Sequence, residues 1–263
     1  MASMREVDSA ESLPRGEGRD ERGLSARTKG SPLGLISLLL AGLLIALLSG
    51  GCTSHQSAAP ALQSEQKPLP FEKEILAFEA SDRTNPPPRG AILFIGSSSI
   101  RLWKTLAQDF PGHRVINRGF GGSQIIDLVR YADRIVFPYQ PKQIVLYAGG
   151  NDINAKKTPE QVFADYRAFV KKVHAKLPRT RIAYISIAPN PARWAQVEQV
   201  KEANRLIADH TKTDRRLTFI DTFTHMLGAD GQPLPDIYVA DRLHMNAKGY
   251  ELWKGIVGPA LGP

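Results

Sequence analysis

Cysteine is nearly missing: Cys52 stands alone in 263 residues. An internal disulfide is therefore excluded, and so is a zinc site built on thiolates. No two histidines stand at zinc-ligand spacing, and neither a Walker loop nor a Gly-x-Ser-x-Gly elbow occurs. Those absences argue against a zinc hydrolase, a P-loop nucleotidase and the α/β-hydrolase fold. Gly119 to Gly122 resembles the start of a dinucleotide loop, but Gln124 takes the place of its third glycine. No cofactor and no metal are expected. The formal net charge of +8 arises after residue 30, because residues 1 to 30 hold six Lys/Arg and six Asp/Glu. The basic residues are scattered among acids and form no stripe interleaved with aromatics, which argues against nucleic acid as a partner.

A long apolar run is also missing, with one short exception. Residues 1–32 are polar and Gly/Arg/Glu-rich, the composition of a disordered extension. Leu33 to Leu48 then gives sixteen apolar or small residues behind Arg27 and Lys29. That is short for a spanning helix and suited to the apolar region of an export signal. Ser49-Gly50-Gly51-Cys52 closes it and resembles the lipobox of bacterial lipoproteins, with Ser49 where those usually have leucine. The reading is a signal or lipoprotein-type segment at 33–52, with Cys52 the expected lipidation site, and a flexible Ser/Ala/Pro/Gln-rich linker at 53–70. It implies a bacterial envelope protein, held to the membrane through its N-terminus and facing the periplasm; a soluble periplasmic or secreted product is the alternative.

Residues 71–263 read as one α/β domain. Apolar runs at Ala91–Ile95, Arg114–Asn117, Gln143–Tyr147, Arg181–Ile187 and Leu217–Ile220 predict five strands. They alternate with predicted helices at 71–81, 100–110, 125–136, 159–177, 192–213 and 246–261. Thr158-Pro159 has the chemistry of a helix start, and Asn246 that of a cap. Strands alternating with helices predict a parallel sheet covered on both faces.

Four small blocks then gather at the carboxyl edge of that sheet, where ligands bind in such folds. Three follow strands: Gly96-Ser97-Ser98-Ser99, Gly119-Phe120-Gly121-Gly122 and Gly149-Gly150-Asn151-Asp152; the fourth is Asp241-Arg242-Leu243-His244. Ser98 offers a hydroxyl that needs a base, and His244 can take and return its proton near neutral pH. Asp241 can orient the imidazole, completing a Ser-His-Asp set. Amides of Ser98 and Gly122, with the side chain of Asn151, can serve as an oxyanion hole. By position Phe120, Arg193, Trp194 and Tyr238 flank the site, with Phe120, Arg193 and Trp194 as candidate substrate contacts. Trp103 and Trp253 follow helical periodicity and belong to the core.

These blocks, in this order, resemble those of the SGNH hydrolases, also called the GDSL esterase family. The resemblance implies a three-layer, flavodoxin-like α/β/α fold with a five-stranded parallel sheet. It matches Ser98 to the nucleophile, Gly122 and Asn151 to the oxyanion hole, and Asp241 and His244 to the Asp-x-x-His pair. Gly119 and Gly121 compete for the role of Gly122. Ser97 departs from the pattern, since the family usually has Asp there. The activity implied is hydrolysis of a carboxylic ester through an acyl-enzyme, on short-chain or O-acetyl groups of a small molecule or envelope polymer. Two alternatives accompany it. A lysophospholipase or thioesterase would carry a long apolar groove beside Phe120, and a catalytically weak envelope binding protein would leave Ser98 unreactive. An acyltransferase would use the same triad.

Overall fold

The structure, a computed structural model, describes residues 69–262. The expected extension, the apolar segment and Cys52 lie outside the described residues, as does the linker except for Leu69 and Pro70.

Five strands, β1 (Ile92–Gly96), β2 (Val115–Gly119), β3 (Gln143–Tyr147), β4 (Arg181–Ile185) and β5 (Leu217–Ile220), form one sheet in the order β2-β1-β3-β4-β5. Every pairing is parallel. Side chains alternate between the faces of a strand, and each face here is apolar. Leu93, Ile95, Ile144, Leu146, Ile182 and Tyr184 point into one core. Ile92, Phe94, Val145, Ala183 and Ile185 point into the other. Near-continuous burial along β1, β3 and β4 explains why these segments read as unbroken apolar runs.

Three helices serve the second core: α2 (Ser98–Leu102), α3 (Leu106–Asp109) and α8 (Ala247–Val257). The first core is covered by α1 (Glu72–Thr84), α4 (Ile125–Ile135), α6 (Pro159–Lys176) and α7 (Val197–Thr211), while the short α5 (Gly150–Asn154) follows β3. The chain leaves β1 toward β2 on one side and returns to β3 on the other. The crevice between the carboxyl ends of β1 and β3 is thus the topological switch point of the sheet.

Local chemistry sets the helix limits. Thr158 and Gln161 exchange side-chain-to-backbone bonds at the start of α6, and the Asn246 Oδ1 accepts from Lys248 and Gly249 at the start of α8. The single helix expected over 100–110 is two short ones, α2 and α3. Trp103 leaves helical geometry between them, and its indole donates to Asp109 Oδ2 at 2.7 Å. The helix expected from residue 192 begins at Val197, after a 3₁₀ segment, Pro191–Gln196, in which Asn190 accepts from the Arg193 amide. On α1, Leu76 is 51% exposed. Phe71 and Ile75 make the contact with the first core, and Arg134 clasps both Glu72 and Glu79 to lock α1 against α4.

Candidate active site

Gly96 ends β1 with φ +146°, and a side chain there would meet the Tyr147 carbonyl oxygen at 1.9 Å. The position accepts only glycine. The backbone can therefore turn hard against β3 and start α2 at Ser98. Ser97, which stands where an Asp was expected, is buried, and its turn is held by backbone groups. Its N–H donates to Tyr147 O, and its carbonyl accepts from the Ile100 and Arg101 amides.

The loop before α8 brings the second component. Asp241 Oδ1 accepts from the amides of Leu243 and His244, both at 2.9 Å. Its Oδ2 lies 2.6 Å from His244 Nδ1, and His244 Nε2 lies 2.8 Å from Ser98 Oγ. The backbone bond from His244, then its ring, then the Leu243 amide hold the Asp241 carboxyl down at about 2. At neutral pH Asp241 is ionised and can only accept, so a neutral imidazole here carries its proton on Nδ1 and accepts from the Ser98 hydroxyl on Nε2.

The third component is the crevice wall opposite. Asn151, in α5, donates through Nδ2 to Ser123 O at 3.1 Å and accepts on Oδ1 from Arg193 Nη1 at 3.1 Å. A guanidinium only donates, so Arg193 fixes which end of the amide faces which way. It also donates to Gly150 O. Beneath, the fully buried Asp152 accepts from the Ile125 amide and from Lys157 Nζ at 2.9 Å. This ties α5 to the start of α4. Burial raises the Asp152 pKa against the opposing pull of Lys157.

Two recesses meet at Ser98 and Asn151. One is narrow, about 30 Å³, running inward past Tyr147, Tyr238 and Trp253. The other is open, about 430 Å³, bounded by Gly121, Gly122 and His244 and by Glu74, Arg101 and Arg193. Of the three competing glycines, Gly119 lies outside both recesses and packs against the backbone of Ile100 and Arg101. Gly121 and Gly122 line the open one, and Gly122 has φ +83°.

The structure thus brings Ser98, Gly122, Asn151, Asp241, His244, Arg193 and Tyr238 together. It does not bring Phe120 there. That ring is wholly buried between Phe71 and Tyr131, because its strand-end position turns the side chain into the first core. Trp194 lies outside both recesses at Ser98 and borders neighbouring ones. Sequence reading passed over Arg101 and Glu74. Arg101 could have been found from its spacing, three residues beyond Ser98 and so on one face of a helix. Glu74 had no comparable signal. Among the described residues, no cluster of three His, Cys, Asp or Glu is placed to hold a metal ion.

A sequence model of the GDSL-like lipase/acylhydrolase family matches residues 96–252. The chain belongs to this family. It is an enzyme of the acylhydrolase class that also goes by the name SGNH. A search of curated proteins gave no match. Several solved structures share the fold. A GDSL-like lipase from Bacteroides thetaiotaomicron is 18% identical, covering 71% of this chain and 96% of its own, with a TM-score of 0.62. A mutant of Axe2, an acetyl-xylooligosaccharide esterase from Geobacillus Stearmophilus, is 16% identical over 67% of this chain and 96% of its own, with a TM-score of 0.55. A carbohydrate esterase family 3 protein from Talaromyces cellulolyticus is 16% identical over 64% and 94%, with a TM-score of 0.53. At such identities the likeness is one of fold.

Proposed function

We propose that this acylhydrolase is a serine esterase that removes short acyl groups, with Ser98 as nucleophile, His244 as base and Asp241 as its orienting carboxylate. The observation that carries the reading is the unbroken chain from Asp241 Oδ2 through His244 to Ser98 Oγ, at 2.6 and 2.8 Å. Ser98 Oγ bonds to the ester carbonyl carbon as its proton passes to His244 Nε2. The carbonyl oxygen becomes an oxyanion facing the Ser98 and Gly122 amides and the Asn151 side chain. His244 then protonates the alcohol oxygen as the old C–O bond breaks, leaving an acyl group on Ser98. Water attacks that acyl-enzyme, gives a proton to His244, and releases the carboxylic acid as Ser98 recovers its proton.

The shape of the crevice favours a short acyl group. The inward recess has a volume on the scale of one water molecule, and Phe120, beside which a long apolar groove would have run, is wholly buried in the first core. The open recess is left for the alcohol half. Two of the fold neighbours are named as carbohydrate esterases, which is compatible with an O-acyl sugar as substrate. Location belongs to the same reading: an exported envelope protein tethered through an acylated Cys52. The test is hydrolysis of p-nitrophenyl esters from acetyl to palmitoyl, with Ser98→Ala in parallel. Activity should fall steeply beyond the shortest chains and vanish in the variant. A rise with chain length would replace this reading with the lysophospholipase one, and absence of both hydrolysis and fluorophosphonate labelling in folded protein would end it.

A further inference from the structure

The open recess carries charges that the acyl-transfer chemistry does not use. Arg101 stands one helical turn beyond Ser98 in α2, a spacing that leaves the Cβ atoms of the two residues about 5–6 Å apart. Its guanidinium lies over Gly121: a side chain added there would meet Arg101 Nε at 2.9 Å and Nη2 at 3.2 Å. The missing Cβ of Gly121 leaves room for the guanidinium in the recess that Ser98 also lines. No carboxylate lies within 4 Å of the Arg101 guanidinium among the described residues. Arg193 adds a second cation to the same recess, and Glu74 is the one carboxylate among its described lining residues, with Asp241 behind His244.

We propose that Arg101 determines specificity by reading a negative charge, carboxylate or phosphate, on the alcohol half of the ester. The inference rests on the esterase reading above, in which the inward recess takes the acyl group and the open one the alcohol. A guanidinium donates in a planar fork that matches both anions. Two cations against one carboxylate leave the recess with a surplus positive charge, which raises the local concentration of anionic substrate. Arg193 already commits Nη1 to Gly150 and Asn151, whereas the Arg101 side chain makes no hydrogen bond or ion pair to a described residue, so its whole fork of donors faces the recess. An O-acylated acidic saccharide and an acylated phosphate-bearing polyol are the two substrate classes with this chemistry.

The experiment uses the full chain and three matched acetyl esters: phenyl acetate, 3-carboxyphenyl acetate and 3-(trimethylammonio)phenyl acetate. Wild-type kcat/KM should be at least tenfold higher for the carboxylate than for the cationic ester, with the advantage in KM and shrinking as salt is raised. The ratio of anionic to neutral kcat/KM should collapse toward one in Arg101→Gln and survive in part in Arg101→Lys. Glu74→Gln should widen it. No preference in the wild type, or a ratio unmoved by Arg101→Gln, overturns the proposal. Should no ester be cleaved, binding of 3-hydroxybenzoate against phenol to the wild type and Arg101→Gln, by calorimetry, tests the anion site separately. Tighter binding of the benzoate that Arg101→Gln abolishes upholds the site although the esterase reading fails; equal binding overturns both. With binding intact, acylated glucuronate oligomers against acetylated glycerol phosphate distinguish the two sources of charge.

Discussion

Two backbone amides and an imidazole converge on the carboxylate of Asp241, which is why it stays ionised far into acid. Its value of about 2 lies below the unfolded one, near 3.9. The stabilisation it supplies is therefore complete above about pH 4 and is lost as the pH falls through about 2. Its side chain is 47% exposed, so the effect is small. Asp241→Asn should melt below the wild type at pH 6, and the gap in Tm should close by pH 2. The same substitution should lower kcat roughly 10²-fold or more, because the imidazole loses the partner that fixes its tautomer. Ser98→Ala should abolish ester turnover while leaving the thermal melt in place, since the hydroxyl contacts only His244 among the described groups. Arg193 acts at one remove, through Asn151. Arg193→Ala should lower kcat about tenfold to a hundredfold with little change in KM, as one donor to the oxyanion loses its orientation. A loss confined to KM would show instead that Arg193 contacts the substrate.

At the next scale, the strand ends and the short helices after them hold these residues in place. Gly96→Ala would drive a methyl into Tyr147 O at a position of φ +146°. Its cost should exceed about 4 kcal/mol, read as loss of the folded chain on expression or as a collapsed denaturation midpoint. Asp152→Asn removes one of the two carboxylates that Lys157 bridges, leaving it Asp165 at 2.7 Å, and weakens the tie to the Ile125 amide, a loss of about 1–2 kcal/mol that denaturant unfolding would register. The central strands β1, β3 and β4 were legible because they are buried on both faces, and Gln143–Tyr147 and Leu217–Ile220 have the limits their apolar runs suggest. The breaks in helices were not. Trp103 continues a helical pattern in sequence, yet its indole is drawn to Asp109, a tertiary preference no local rule contains. Gly150-Asn151-Asp152 opens the short α5, where no helix is predicted from the sequence, with Asp152 buried within it. Phe120 illustrates the same limit at the site: its place after β2 suggested a substrate contact, but a strand-end side chain can face either layer, and this one faces Phe71. Ser98, Asp241 and His244 stood out because their chemistry is complementary; Arg101 and Glu74 did not, because surface charges are common.

For the molecule as a whole, the domain seen here is independent of disulfides, since the lone cysteine lies outside the described residues. No described helix is long and apolar enough to cross a membrane. If Cys52 carries the lipid proposed above, Cys52→Ser should move the protein from the membrane fraction to the soluble one and end incorporation of labelled palmitate, with kcat/KM unchanged. Retention of the label by Cys52→Ser would sink the tether. Ser98 and His244 are 146 positions apart, and between them the chain must lay down all of β2 to β5. With the triad proposed above, a polypeptide emerging N-terminus first, from a ribosome or through a translocation pore, should be inert toward esters until the segment bearing Asp241 and His244 has arrived and docked. Hydrolysis is in this sense a clock for completed folding: in a refolding time course its onset should coincide with the last phase, and no earlier species should turn over substrate.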